Sequence, residues 1–250
     1  MSLDLTATKN KFGPFNFFKV LSYKHKFAKS HPMYFYADGL VVFTGPQGSG
    51  KTLSAVLYVK NLMEMYPNAI IVSNIELSFA PFDYVKVFPF QDASDLSKYN
   101  NGEKGVIYLI DEIQLYFNSL ESKNINPEVM TQISQQRKQR KHIVCTSQVF
   151  GRMAKPLREQ FSNVILCKCF FSCFQYNQLI DRDSIEEFDN GTNLKGTVKK
   201  KFMFFHDPKY YSFYNTYYVI DKNKFIYNEE KKGDIYNGES RLFINNNNGK

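Results

Sequence analysis

Short, continuous runs of apolar residues recur between residues 39 and 170, each bounded by polar residues, glycine or proline. They are rich in β-branched side chains and show no alternation with polar residues. Runs of this kind suit strands that are covered on both faces, as in a parallel sheet. The pattern therefore predicts buried strands at GLVVFTG, NAIIVSNI, GVIYLIDE, HIVCTSQ and NVILCKCFF.

Helical patterns lie between these runs. The segment KTLSAVLYVKNLMEMYP is apolar almost all round and is closed by Pro67, which predicts a buried crossover helix. In NPEVMTQISQQRKQRK, Asn126 suits an N-cap, Pro127 the first helical position and Glu128 the positive end of the helix dipole. Strand and helix in repeated alternation predict an α/β fold, with a mostly parallel sheet flanked by helices.

The composition and the hydrophobic pattern of the sequence change at both ends of this region, which predicts four segments. Residues 1–38 are basic and aromatic without clear periodicity, and form a lead-in that packs on the body. Residues 39–175 form the core. Residues 176–230 form a small β-rich addition, and residues 231–250 a flexible, asparagine-rich tail. The strands predicted in the addition are TVKKKFMFFHD, YYSFYNTYYVI and KFIYNEE.

The composition favours an anionic partner and argues against a membrane-spanning or secreted protein. The formal charge of +8 favours a nucleic-acid or anionic-surface partner, although an AT-rich gene would also encode this Lys-, Asn-, Ile-, Phe- and Tyr-rich, tryptophan-free chain. No stretch of about 18 uncharged apolar residues occurs, and the first twenty residues lack the order of a secretory signal. We therefore expect no membrane span and a cytosolic protein.

Three of the four cysteines are clustered in CKCFFSC, which raises the question of a metal site. A zinc site usually has four ligands, and the histidines nearest in sequence, His142 and His206, lie 25 and 33 residues from the cluster. On a strand, Cys167 and Cys169 would share one face as small apolar side chains. Buried free thiols are the favoured interpretation, with a metal site as the alternative.

The segment GPQGSGKT fits the phosphate-loop pattern G-x-x-x-x-G-K-[ST]. Its glycines allow the backbone to curl so that N–H groups face the phosphates of a nucleoside triphosphate, and the following helix adds its dipole. Lys51 would neutralise phosphate charge and the Thr52 hydroxyl would bind Mg²⁺. The predicted ATP-binding residues are Gly45, Pro46, Gln47, Gly48, Ser49, Gly50, Lys51 and Thr52.

Two further strands end in polar residues suited to ATP hydrolysis. Asp111 follows a buried strand and would hold Mg²⁺ through its water shell, while Glu112 would act as general base on the attacking water. Acids at a helix N-terminus are the alternative for this pair. If the strand HIVCTSQ lies between the two preceding motif strands, Gln148 would reach the γ-phosphate and the water; a simple strand-ending loop is its alternative.

The residues that accompany these motifs indicate the class of NTPase. The N-K-x-D segment with which GTP-switch proteins commonly read guanine does not follow a strand here, and small-molecule kinases need no D-E pair. A glutamate directly after the Mg²⁺-binding aspartate favours motor-type ATPases.

Five segments, in this order, resemble the Zot-like branch (zonular occludens toxin domain) of the HerA–FtsK group: GPQGSGKT, SNIEL, GVIYLIDEIQLYF, SQQRKQRKHIVCTSQ and PLREQF. The resemblance covers about residues 39–170, and the group contains genome-packaging and assembly ATPases of phages and archaeal viruses. It implies a P-loop NTPase fold of the RecA-like (ASCE) type. It also implies an ATPase that forms a ring, commonly hexameric, and that pumps or threads nucleic acid.

Ring ATPases of this kind complete each site with an arginine from the neighbouring subunit, which is worth about 10³–10⁵ in rate. Among Arg137, Arg140, Arg152 and Arg158, the resemblance favours Arg140 and Arg158, which match arginines of the family's motif. For the basic segment RKQRK, compensation of a helix dipole is the alternative.

Many Zot-like proteins continue into a transmembrane helix, which this sequence does not contain. We therefore expect a packaging ATPase that moves viral DNA, without reading its sequence, into a preformed capsid. Its partners would be DNA, other copies of the chain and capsid or vertex proteins, in the host cytoplasm or at the packaging vertex of the virion. The alternatives are an assembly ATPase that extrudes phage DNA, and a nucleotide-binding scaffold that is no motor.

Overall fold

The computed structural model describes residues 14–37, 39–78, 85–120, 126–187 and 194–215. The chain divides into two compact units, Met1–Tyr34 and Phe35–Lys250. Within the described ranges, no helix combines the length and the apolar character that a membrane crossing requires.

The first unit contains a helix, α1 (Pro14–Ser30). Sequence periodicity does not predict this helix, because apolar side chains such as Phe17 and Leu21 are more than half exposed and mark no buried face. The end of the helix is held locally: the rings of Phe27 and His31 stack with their centroids 4.2 Å apart.

The second unit contains the sheet. Its helices and strands are, in chain order, β1 (Leu40–Thr44), α2 (Lys51–Met65), β2 (Ile70–Ser73), β3 (Val87–Pro89), α3 (Asp95–Lys98), β4 (Val106–Ile110), α4 (Pro127–Ser134), β5 (Lys141–Ser147), α5 (Lys155–Arg158), β6 (Phe161–Phe170), β7 (Phe174–Ile180), β8 (Glu186–Glu187), β9 (Leu194–Lys195) and β10 (Val198–Phe205). All five strands predicted between residues 39 and 170 are present.

Eight strands form one sheet in the order β10-β7-β6-β1-β5-β4-β2-β3. The strands from β6 to β3 in this order pair in parallel, whereas β7 pairs antiparallel with both β6 and β10. The central strand β1 pairs through Val42 with Cys145 on one side and with Val164 on the other. The predicted fold class, a mostly parallel sheet flanked by helices, is confirmed.

Both faces of β1 are buried, which explains why its sequence shows no polar alternation. Leu40 and Val42 contribute to one apolar layer, and Val41 and Phe43 to the other. The second layer includes α2, and burial of each valine-sized side chain there is worth about 1.5–3 kcal/mol. The α2 residues in this layer are Ala55, Val56, Val59, Leu62 and Met63.

The helix α4 is shorter than the sequence predicts. Asn126 is its N-cap, as predicted, with the side-chain oxygen accepting a hydrogen bond from the Glu128 N–H. The helix ends at Ser134, whereas the prediction extends it to residue 141. The segment 135–140 forms turns instead and ends at Arg140, which has a φ of 52°. This segment, QQRKQR, has no apolar residue with which a further helical turn could pack on the sheet.

The strands β7 and β10 extend the main sheet at its antiparallel edge, whereas β8 and β9 pair antiparallel in a separate two-stranded sheet. The segment YYSFYNTYYVI, predicted as a strand, begins instead within a 3-10 helix, Pro208–Phe213. The Asp207 carboxylate accepts a hydrogen bond from the Lys209 N–H at 3.0 Å, which caps this helix, and Phe213 is buried in the layer that contains α2. Residues 216–250, which include the predicted strand KFIYNEE and the predicted tail, lie outside the described residues.

The cysteine cluster is only partly buried. Cys145 and Cys167 are buried free thiols, and burial raises the pKa of Cys167 to about 12. Cys173, however, is exposed and Cys169 is half-buried, so the prediction of buried thiols is wrong for Cys173. The reason is the turn at residues 171–173, which ends the strand and leaves Cys173 outside the sheet.

Lys141, at the start of β5, is a buried cation with only 3% of its surface exposed. Its Nζ donates a hydrogen bond to the Leu96 carbonyl oxygen at 2.6 Å. Burial lowers the pKa of Lys141 from 10.5 to about 8, because the charged form loses hydration. The Tyr108 hydroxyl donates to the same carbonyl at 3.4 Å, so this oxygen keeps a donor if the lysine is replaced.

We expect Lys141 to make unfolding pH-dependent between pH 8 and 10.5. In this window the folded state holds Lys141 neutral while the unfolded chain keeps it protonated, so stability rises with pH by at most about 1.4 kcal/mol per pH unit. Urea denaturation across the window should show this rise in the wild type and in Lys138→Met, which replaces an exposed lysine. Lys141→Met should lack it, and equal slopes in all three proteins would contradict the assignment.

Candidate functional site

Residues 45–52 connect the carboxyl end of β1 to the start of α2, as the phosphate-loop pattern predicts. Two glycines are required by their surroundings. A Cβ on Gly50, which has a φ of 75°, would lie 2.0 Å from Gln175 Oε1. A Cβ on Gly45 would lie 2.6 Å from the Cys167 carbonyl oxygen. The obstacle at Gly45 is backbone, which cannot give way locally. At Gly50 it is the end of a side chain, but the positive φ itself favours glycine there.

The loop has the chemistry of an anion site. The Ser49 Oγ is buried and has no hydrogen-bond partner within the described part of the chain. Lys51 is 6% exposed and donates from Nζ to the Pro46 carbonyl oxygen at 3.2 Å, which folds the cation over the loop. The N-terminal N–H groups of α2 add the positive end of its dipole. A buried hydroxyl, a buried ammonium and a helix N-terminus together fit the phosphates of a nucleotide.

A cavity of about 870 Å³ opens beside the loop and gives room for the rest of a nucleotide. Residues of the loop, of the segment after β5, of β6 and of β9 line it. They include Gly48, Gln148, Arg152, Lys168 and Lys195.

Asp111, at the end of β4, lies directly against the loop. Its Oδ1 accepts hydrogen bonds from the Thr52 hydroxyl at 2.9 Å and from the Thr146 hydroxyl at 2.7 Å. Burial raises the pKa of the Asp111 carboxyl, and these two hydrogen bonds partly offset the effect. The Thr52 hydroxyl and the Asp111 carboxylate are hard oxygen donors of the kind that Mg²⁺ prefers, so this pair fits the predicted metal site.

Glu112 follows in a strained conformation, with a φ of 51°. A non-glycine residue in this left-handed region costs about 1–3 kcal/mol and persists where the surroundings fix it. Here the Glu112 N–H donates to the Thr146 Oγ1 at 2.9 Å. The side chain accepts hydrogen bonds from Gln114 and Gln148, the latter at 3.2 Å. The backbone and the carboxylate are thus both held in place.

Gln148 reaches Glu112 because β5 lies between β1 and β4 in the sheet. This is the strand order on which the hypothesis for Gln148 depends. Since parallel strands end at the same edge, the loop after β1, the acids after β4 and the amide after β5 converge there. The residues predicted to bind phosphate, to hold metal and to activate water therefore lie together.

Two residues of the site were missed by sequence reasoning. Asn74, after β2, holds the backbone of Asp111 at both ends: its Oδ1 accepts from the Asp111 N–H and its Nδ2 donates to the Asp111 carbonyl oxygen, each at 2.8 Å. Thr146 links Asp111 to Glu112. The signal for both was a polar residue at the end of a buried strand, but their partners depend on strand adjacency, which the sequence does not display.

The two arginines favoured by the resemblance lie away from this site. Arg140 directly precedes β5, whose opposite end carries Gln148; seven strand residues correspond to about 23 Å. Arg158 ends α5, three residues before β6 begins, and borders a separate cavity of about 360 Å³ together with Lys155 and Arg182. Neither belongs to the cluster around Asp111, whereas Arg152 lines the cavity beside the phosphate loop.

Comparison with known proteins gives one family. The model of the family described as zonular occludens toxin (Zot) matches residues 39–170, which span the sheet from β1 to β6. No curated protein sequence matches the chain.

Among solved structures, the N-terminal domain of zonular occludens toxin from Neisseria meningitidis superposes with a TM-score of 0.51 at 18% identity, over 72% of this chain and 100% of that domain. The genome-packaging NTPase B204 of Sulfolobus turreted icosahedral virus 2, bound to ATP-γS, covers 65% of this chain and 97% of its own at 12% identity, with a TM-score of 0.44. The flagellar accessory protein FlaH from Methanocaldococcus jannaschii aligns over 71% of this chain and 88% of its own, at 14% identity and with a TM-score of 0.42. The fold is that of a P-loop NTPase.

Proposed function

The chain belongs to the zonular occludens toxin (Zot) family, and we propose that it is an ATPase that uses Mg²⁺-ATP hydrolysis to translocate viral DNA into a preformed capsid. The observation that carries this proposal is the hydrogen bond between Thr52 of the phosphate loop and Asp111, at 2.9 Å. This bond joins the loop proposed to bind the triphosphate to the acid proposed to bind the metal.

In this proposal each side chain of the site has a distinct task. Lys51 and the loop N–H groups bind the β- and γ-phosphates, and Thr52 with Asp111 would hold Mg²⁺. The metal, when bound, neutralises charge on the phosphates and orients them. Glu112 takes a proton from the attacking water, and Gln148 orients that water while contacting the γ-phosphate.

Glu112 suits the task of general base because its carboxylate is already positioned. Amide donors hold both carboxylate oxygens, Gln114 at Oε2 and Gln148 at Oε1. These two hydrogen bonds fix the orientation of the carboxylate that would accept the proton. The proton taken from water passes to one of these oxygens, and the water oxygen forms a bond to the γ-phosphorus. The bond from that phosphorus to the oxygen that bridges to the β-phosphate breaks at the same time, and the products are ADP and inorganic phosphate.

We further propose that the chain acts as a ring, with six subunits as the expected number. The separation of Arg140 from the site of its own subunit supports a role for it at a neighbour's site, and Arg158 is the second candidate. The net charge of +8 supports a polyanionic partner that is bound through its phosphates without sequence reading. Capsid or vertex proteins complete the set of partners, in the host cytoplasm or at the packaging vertex.

Steady-state ATP hydrolysis, measured across protein concentration with and without DNA, tests this function. If each site is completed by a neighbour, the rate per subunit should climb steeply with concentration, and DNA of any sequence should stimulate it severalfold. The stimulation should weaken as salt is raised, because contacts to phosphate release counterions.

A constant rate per subunit would contradict the ring. Tight ATP binding with turnover that ignores DNA would contradict the motor and favour a nucleotide-binding scaffold.

An assembly ATPase that extrudes phage DNA is the second candidate, favoured by the family itself. The two candidates separate by substrate and partner. Packaging into a preformed capsid predicts copurification with capsid proteins, whereas extrusion predicts copurification with an envelope protein.

A further inference from the structure

Behind the phosphate loop, on the side of β7, lies a fully buried amide. Gln175 has 0% of its surface exposed, and its Nε2 donates a hydrogen bond to the Ser49 carbonyl oxygen at 2.9 Å. Ser49 belongs to the loop, while Gln175 is 126 residues later in the chain. Burial of an amide costs free energy unless all its polar atoms form hydrogen bonds. The second hydrogen on Nε2 and the Oε1 of Gln175 therefore also need partners.

Those partners extend to the helix behind the loop. The second Nε2 hydrogen of Gln175 is donated to the Asn177 Oδ1 at 2.7 Å. Asn177, on the same face of β7, donates from Nδ2 to the Ser54 Oγ of α2 at 3.0 Å. Two hydrogen-bonded amides, Gln175 and Asn177, therefore connect the loop and the first turn of α2 to β7.

The third partner of Gln175 is His206, the residue that follows the edge strand β10. The His206 Nε2, just beyond β10, lies 3.2 Å from the Gln175 Oε1. Because both hydrogens on Nε2 of Gln175 are committed, its Oε1 must accept, and His206 must carry a proton on Nε2. In neutral His206 the Nδ1 is then an acceptor for the Tyr211 hydroxyl, 2.8 Å away. This pairing fixes which way the Gln175 amide points.

We propose that Gln175 is a positioning residue for nucleotide binding: it fixes the orientation of the Ser49–Gly50 peptide, and His206 orients Gln175. A peptide unit is planar and trans, so its C=O and N–H point in opposite directions. Holding the Ser49 carbonyl on the β7 side directs the Gly50 N–H away from β7, into the loop. Without that anchor, Gly50 could adopt other backbone conformations at little cost, and the N–H would be lost to the phosphates.

This inference rests on the nucleotide-binding part of the proposed function. The test compares ATP affinity, from a fluorescent analogue, with KM and kcat in Gln175→Met, a variant of similar size without the amide. We expect the Kd and KM for ATP to rise about tenfold while kcat stays within about threefold, because only the binding of the phosphates is loosened. Gln178→Met, on the opposite face of the same strand, should match the wild type in all three.

A residue with a purely structural role would lower the melting temperature and leave ATP affinity unchanged well below it. Equal affinities of the folded Gln175→Met and wild-type proteins would therefore overturn the inference. If Gln175→Met does not fold, His206→Ala decides: we expect about a threefold rise in KM, and an unchanged KM would overturn it. If wild-type turnover is the same with and without DNA, only the proposed motor function is contradicted. If Gln175→Met and the wild type bind ATP with equal affinity, only this inference is contradicted.

Discussion

Glu112→Gln is expected to lower kcat for ATP hydrolysis at least a hundredfold while the Kd for ATP changes by less than about threefold. Glutamine has nearly the same shape and can still accept the hydrogen bond from Gln148, and the backbone bond to Thr146 that accompanies the φ of 51° does not involve the side chain. At the second position the new amide would donate to the Gln114 Oε1 once the Gln114 amide turns over. It cannot take a proton from water. The expected signature is a protein that binds ATP and holds it, which equilibrium binding and single-turnover hydrolysis measure directly.

The matched control for this change is Glu103→Gln. Glu103 is an exposed glutamate in the short 3-10 turn before β4, at the opposite end of the strand from Glu112. The same chemical change there should leave kcat and Kd at their wild-type values. Near-normal hydrolysis by Glu112→Gln would remove Glu112 from the role of general base.

Lys51→Ala is expected to weaken ATP binding at least a hundredfold, equivalent to about 3 kcal/mol, and to abolish detectable turnover. Lys51 is buried by the loop, with 6% of its surface exposed, so little water screens the attraction of its ammonium for a phosphate. Removal of this cation does not threaten the fold, because in the absence of ATP the ammonium has only the Pro46 carbonyl oxygen as a hydrogen-bond acceptor among the described contacts.

Isothermal titration with ATP and a thermal melt together test this expectation. Lys60→Ala is the control on the same helix, since Lys60 is half-buried, pairs with Glu64 and lies over the Phe213 ring, and is not among the residues of the phosphate loop. Lys60→Ala should bind ATP normally. A Lys51→Ala protein that melts like the wild type yet retains full ATP affinity would show that the loop binds something other than the proposed phosphates.

The sequence predicts the sheet well because its strands are covered on both faces. Continuous apolar runs such as LVVFT have no other stable location in a chain of this length, and the phosphate-loop pattern identifies the loop that comes after β1. The same reasoning fails where burial is partial. The helix α1 has exposed apolar residues and no periodic face, and the aromatic segment from Tyr210 has β propensity that is overridden by the cap at Asp207 and the burial of Phe213.

The positions of site residues could be predicted where a local motif marks them, and not where they depend on a neighbouring strand. Lys51 and Thr52 are marked by the phosphate-loop pattern, and Asp111 by its place directly after a buried strand. Asn74, Thr146 and Gln175 are ordinary polar residues in the sequence, and each becomes part of the site only because a particular strand lies next to another. Strand order is a property of the whole chain, so local patterns do not contain it.

The pairing of β1 has a consequence for how the protein is made. β1 ends at residue 44, but the strands on either side of it are β5 and β6, about a hundred residues later in synthesis. Until β5 and β6 have been synthesised, the phosphate loop follows a strand that has neither of its neighbours, so the contacts that fix the loop backbone are missing. Nucleotide therefore cannot assist the early stages of folding. Bound nucleotide can stabilise only a nearly complete fold, so ATP binding would be one of the last steps in the folding of each new molecule.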